Sequence, residues 1–215
     1  MRANTQTNLL LESLSAKVRD RLLQQCELIE LAFADILCEP GQAITHVFFP
    51  VTAFISQVET VGTHPPLEIA LIGNEGMLGA TLVLGINEAP LRAVVQGAGS
   101  SYMLSALKFR QLLRENKSLR RVLNSYMYVN LAQLSQTTAC THFHEVEARL
   151  ARWLLTTHDR AHADHFHLTH QYLADMLGVQ RSAVTIAAGE LQQRELISYT
   201  RGDIHILDRK GLEKA

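Results

Sequence analysis

At 215 residues the chain has room for one large domain or two ordinary ones, and with 47% hydrophobic and 19% charged residues it is too apolar for a disordered tail. Its three cysteines, Cys26, Cys38 and Cys140, are odd in number and widely spaced, which excludes a disulfide framework and a zinc ribbon and suits a reducing compartment. A formal net charge of −1 gives no basic imbalance of the kind nucleic-acid binders often show, so any case for DNA has to rest on pattern.

The segment from Met1 to Asp20 is polar and mixed in charge, with no apolar run after a basic start, and does not read as a signal peptide. Leu10, Leu14, Val18 and Leu22 recur at helical spacing, which predicts helix across Leu9–Leu31 with Ser15 as a cap or turn residue. The greasiest stretch, Ile69 to Gly85, is interrupted by Asn74 and Glu75 and is no membrane span, so a cytoplasmic protein is expected.

After Pro40-Gly41 the period changes. Short β-rich runs follow at Ile44–Phe49, Phe54–Val61, Leu67–Ile72, Leu91–Gln96 and Ser101–Leu104, separated by Gly and Pro turns, which predicts an antiparallel roll or barrel. From Ser105 the pattern is helical: a short helix over Ala106–Glu115, then a longer one from Lys117 to about Cys140. Leu119, Leu123, Met127, Leu131 and Leu134 form one stripe on the longer helix. That stripe fits packing on its own domain or pairing with a twin across a dimer axis; a run of this length does not separate the two. A third helix carries Val146, Leu150, Trp153 and Thr157 on one face.

The most specific signal lies in His170–Leu191. Counted from His170, a small Ala174 is fifth, Gly178 ninth and Val184 fifteenth. A helix-turn-helix needs this spacing: the small residue lets two helices cross closely, and the glycine takes the left-handed conformation of the turn. Leu173, Leu177, Val179, Val184 and Ala187 would fill the wedge. Beyond them Ile197–Tyr199 and Ile204–Leu207 alternate around Arg201-Gly202-Asp203 and predict a β-hairpin, which makes the motif winged. The second helix starts near Gln180 and would enter the major groove N-terminal end first. Its outward residues there are Arg181, Ser182 and Thr185; an arginine can donate two hydrogen bonds to a guanine edge, and hydroxyls reach bases or phosphates. Thr169 and Arg201 are further candidate DNA contacts. Against base reading stands a phosphate contact by Arg181, or its pairing with Asp175.

Enzyme motifs are missing, and His144-Glu145 is no zinc-protease start because Ala148 occupies the second histidine position. His158, His162, His165, His167 and His170 crowd one stretch between helices and read as a solvated connector; with Asp159 and Asp164 as the acids nearby, the expectation is no metal and no cofactor.

The order of parts resembles the Crp/Fnr superfamily of bacterial regulators from about Leu9 to Glu213. The resemblance is carried by E-P-G-Q-A-I at 39–44, N-E-G-M-L-G from Asn74, R-A-V-V-Q at 92–96 and V-E-A-R-L-A-R-W-L-L at 146–155. It continues in L-T-H-Q-Y-L-A-D-M-L-G-V-Q-R from Leu168 and L-I-S-Y-T-R-G-D-I-H-I-L-D at 196–208. It implies an α+β chain: a cyclic-nucleotide-binding-like β-roll (jelly roll) sensor over 1–115, a dimerisation helix over 116–143, and a winged helix-turn-helix over 144–215. In that frame Leu123, Met127, Leu131 and Leu134 couple two protomers, and the homodimer binds a palindrome in double-stranded DNA, with RNA polymerase as a further candidate partner. Cyclic-nucleotide-binding members place a Gly-Glu pair before the phosphate helix and an Arg-Ser pair after it. Here the corresponding positions are Gly79, Ala80, Arg92 and Ala93, so the acid and the serine are gone and cAMP is not the expected effector. Arg92 either holds another anion or pairs with Glu75 or Glu88. Cys26 and Cys38 do not supply an iron–sulfur cluster. Ser182 and Ile186 depart from the base-reading residues of the best-known member. The competing functions are a cAMP or cyclic-di-GMP responder, and a signalling protein whose winged helix binds protein.

Overall fold

A computed structural model describes residues 7–215. The chain forms two compact units: the first holds the residues up to Val58 and Ala70–Gln133, the second Glu59–Ile69 and Leu134–Ala215.

The first unit begins with two short helices, α1 (Leu9–Glu12) and α2 (Ala16–Leu23). Asn8 caps α1 by accepting from the Leu11 amide at 3.0 Å, while its Nδ2 donates to the carbonyls of Pro50 and Gly76. The single helix expected to Leu31 does not persist. Glu27–Leu31 is instead strand β1, with Leu28 exposed and Leu31 buried. Ile29 and Leu31 turn inward while Leu28 and Glu30 face out, and pairing with the distant Gly99–Ser105 segment overrides the helical spacing before it.

Six more strands complete the roll among the described residues: β2 (Ile36–Cys38), β3 (His46–Pro50), β4 (Phe54–Glu59), β5 (Leu67–Ile72), β6 (Arg92–Gly97) and β7 (Gly99–Ser105). They form two sheets, ordered β1-β7-β3 and β2-β6-β4-β5. Helices α3 (Ala106–Glu115) and α4 (Lys117–Phe143) follow. Two cores result, and β3 serves both. Phe48 points between the sheets, with Leu31, Ile55, Ile72, Ala93 and Val95. Phe49 points the other way, with Leu22, Leu104, Phe109, Leu119 and Leu123 under the helices. The Phe49 and Phe109 rings meet edge-on at 6.3 Å, a geometry that adds to the roughly 1.5–3 kcal/mol of burying each.

In the second unit α5 (Val146–Ala161) carries Leu150, Trp153, Leu154 and Thr157 into the core. The histidine-rich stretch beyond it is not a plain connector. His162 closes α5 at φ 50°, and His165–His167 forms strand β8. Phe166 is buried and its two histidine neighbours face out. Helices α6 (His170–Leu177) and α7 (Arg181–Gln193) come next, then β9 (Ile197–Thr200), β10 (Asp203–Ile206) and α8 (Arg209–Leu212). The sheet order is β8-β10-β9. Three residues are too few to announce a strand by periodicity, and outward histidines hide the one apolar position. Among the described residues no helix is long and apolar enough to cross a membrane.

Candidate nucleic-acid interface

The turn between α6 and α7 fixes the geometry of the site. Thr169 caps α6, its hydroxyl accepting from the Tyr172 amide at 3.1 Å. Leu173, Ala174 and Leu177 of α6, and Val184, Ala187 and Leu191 of α7, are buried together, while Val179 is partly exposed. Gly178 stops α6 at φ 64°, in the left-handed region. A Cβ there would also lie 2.9 Å from Leu67 Cδ1. Gly178→Ala is therefore expected to cost about 1–2 kcal/mol, seen as a lower Tm for the second unit.

Gln180 holds the N-cap position of α7 with extended backbone and no side-chain capping bond. Arg181, Ser182 and Thr185 follow, all exposed on the N-terminal turns. Positions one turn apart share a face, so Arg181 and Thr185 project together. Arg181 makes no ion pair among the described residues; Asp175, the acid considered for it, accepts from Gln171 at 2.8 Å instead. Thr185 also has partners within the protein: its hydroxyl donates to the Arg181 carbonyl at 3.0 Å and lies 2.9 Å from His170 Nδ1.

The wing is a two-residue hairpin. Arg201 and Gly202 both have positive φ, 51° and 95°, the signature of the turn that matches strand twist, and Arg201 is exposed at its tip. On the outward face of the wing sheet His167 Nδ1 lies 2.9 Å and His165 Nε2 3.5 Å from Asp203 Oδ1, and the His165 and His205 rings stack at 4.3 Å. The hydrogen bond from His167 holds the Asp203 carboxyl below the usual carboxylate range. His158 is used differently: its Nε2–H donates to Asp164 at 2.6 Å, while its Nδ1 accepts from Arg209, which also binds Asp159 at 2.6 Å. Among the described residues no three such side chains converge to hold a metal ion.

The effector positions lie in the first unit. Gly79, at φ 87°, opens a single turn of 3-10 helix over Ala80–Leu84, closed by Gly85 at φ 82°. Ala80 packs into the core under the helices and Ala93 into the core between the sheets, so neither side chain offers a polar atom to a ribose or a phosphate. Arg92 is paired, but with neither acid expected: Glu39 takes its Nε at 2.7 Å, half exposed, while Glu75 accepts from the Gly73 amide. That acid belongs to the E-P-G motif and lies 53 positions away, beyond what local sequence could indicate.

On α4 the stripe divides. Leu123 is 1% exposed and Met127 partly buried, both against the roll's helix-side core, because that core needs a lid. Leu123 is therefore corrected from a dimer contact to an internal one. Leu131 is 63% and Tyr128 72% exposed, with Val129 and Leu134 also open.

A family model described as the Crp-like helix-turn-helix domain matches residues 148–215. None of the curated proteins compared is a match. Among solved structures the chain is similar to FixK2 of Bradyrhizobium japonicum, with 14% identity, 88% of this chain and 96% of that one covered, and a TM-score of 0.74. A Crp/Fnr-family transcriptional regulator of Thermus thermophilus shares 21% identity over 87% of this chain and 97% of its own, with a TM-score of 0.71. The c-di-GMP-responsive global regulator CLP of Xanthomonas campestris shares 14% over 89% and 99%, with a TM-score of 0.71. At such identities the likeness is one of fold.

Proposed function

We propose that this chain, a Crp-like helix-turn-helix domain on a fold of the Crp/Fnr type, is a DNA-binding transcription regulator that works as a homodimer on a palindromic operator. One observation carries the reading: the Gly178 turn delivers an exposed Arg181, free of ion pairs among the described residues, on the first turn of α7, in the same unit as a short wing tipped by Arg201. That is the layout a major-groove reader with a phosphate-touching wing requires. With nine Lys/Arg against ten Asp/Glu from Glu145 onward, the reading unit has little non-specific pull on DNA, and two linked half-sites would supply the missing affinity. Selection from random duplexes tests the function. A recurring palindrome is the expected result; no enrichment over input would favour a winged helix that binds protein.

The roll would then sense something other than cAMP. Ala80 and Ala93 are closed into apolar cores, and Arg92 is already held by Glu39. Each missing charge-assisted bond removes about 1.5–3 kcal/mol, together two or more powers of ten in affinity. Calorimetry is expected to show no cAMP binding in the micromolar range; a micromolar constant that disappears in Arg92→Ala would overturn this.

A further inference from the structure

We infer that His170 is a positioning residue for base reading, a neutral imidazole that ties the first turns of α7 to the wing. The inference deepens the DNA-reading proposal and rests on it.

Three contacts converge on the ring. His170 opens α6, its Nδ1 stands 2.9 Å from Thr185 Oγ1 on α7, and its face stacks on Tyr199 of β9 at 4.2 Å and 20°. Tyr199 is itself anchored, its amide donating to Gln192 Oε1 at 2.9 Å and its hydroxyl to the Leu168 carbonyl at 3.4 Å. The Thr185 hydroxyl has one hydrogen, and it goes to the Arg181 carbonyl at 3.0 Å. Nδ1 must therefore be the donor, which leaves the proton off Nε2. Nε2 is buried and has no hydrogen-bond partner among the described residues.

The consequence falls on Arg181. Thr185 lies one turn after it and holds its carbonyl, so fixing Thr185 fixes the rotation of the turn from which Arg181 projects. A long side chain needs this. A small error in its base is magnified at the guanidinium, and groove reading by paired hydrogen bonds tolerates little of it.

The clasp belongs to the neutral ring. The titratable groups facing His170 are Arg181 on α7 and Tyr199 on β9, and burial together with the Arg181 charge pushes its pKa below the usual histidine value. Protonation would add an N–H at Nε2, where no acceptor stands. A depressed folded-state value means that the contribution is whole above the ordinary value of 6.5 and is lost as pH falls below it.

A double-mutant cycle tests this in the full chain. His170→Phe keeps the stack and removes the donor, His170→Asn restores an N–H near the Nδ1 position, and Thr185→Val removes the hydroxyl while keeping its shape. Affinity is read on the selected operator and on a random duplex of equal length. His170→Phe and Thr185→Val are each expected to weaken operator binding about tenfold, with the random duplex changed less than about twofold, and the double variant no further. His170→Asn should recover most of the loss. The Tm gap between wild type and His170→Phe should narrow from about pH 7.5 to about pH 5.5. Additive losses in the double variant, or equal losses on both duplexes, would sink the inference. If His170→Phe does not fold, His170→Leu, which also lacks a donor, takes its place in the cycle with Thr185→Val. If selection yields no operator, the DNA reading has failed, and the same cycle in thermal unfolding still decides whether the clasp exists.

Discussion

Replacing Arg181 with alanine is expected to flatten one position of each operator half-site while leaving the rest of the motif readable. Arg181 sits at the first position of α7, exposed and without an ion pair among the described residues, so no acid there competes for its guanidinium. A bidentate contact to a guanine edge carries roughly 1–3 kcal/mol of discrimination, about tenfold to over a hundredfold against the wrong base. A phosphate contact would behave differently: its loss weakens all sequences alike and lowers the salt slope by about one. Parallel selections with wild type and Arg181→Ala separate the two. Equal information at every position in both motifs means that Arg181 reads no base. Ser182, exposed beside it, should matter less, because a single hydroxyl reads either partner of several base pairs.

Leu131→Glu is expected to break the proposed dimer and take operator binding with it. In the single chain Leu131 is 63% exposed and Tyr128, three residues earlier on the same face, is 72% exposed. A helix that leaves such side chains in water beyond the point where its own core stops is suited to meeting a twin. Across a two-fold axis the substitution would bury two uncompensated carboxylates near each other, at several kcal/mol. Sedimentation should show monomers at concentrations where the wild type is dimeric, and a palindrome should then be bound no better than its half-site. Leu123→Glu makes the contrast. That position is 1% exposed inside the first unit, so its charge should unfold the roll rather than separate folded protomers. A fully dimeric Leu131→Glu would mean that the interface uses another face of α4 or another element.

The reading unit was legible because its constraints are local. Ala174, Gly178 and Val184 have to stand at fixed offsets in a short stretch, and the two-residue turn at Arg201-Gly202 announces itself by composition. Helix α3 and strand β5 were equally plain, each set off by a clear change of period. The misreadings share a cause. β1 and β8 are strands only through partners far along the chain, and the Arg92 partner, Glu39, is chosen by the roll and not by proximity in sequence. The α4 stripe is a subtler case. Spacing says which residues share a face but not where along the helix the neighbour stops, so Leu123 and Leu131 looked alike. The His170–Thr185–Tyr199 contact gave no signal beyond three polar or aromatic residues in separate elements.

The pairing of β1 with β7 also sets the timetable of folding. Glu27 lies opposite Met103, so the first strand of the roll finds its partner only after most of the first unit has been made. At translation rates of about 5–20 residues per second that interval is roughly 4–15 s. Closing so long a loop costs entropy before any contact rewards it, whereas the β9–β10 hairpin needs two intervening residues. During the wait β3, with apolar Phe48 and Phe49 on its opposite faces, has neither of its cores complete. The nascent chain is therefore most open to association with other chains before β7 emerges, and the arrival of β7, which joins β1 to β3, ends that exposure.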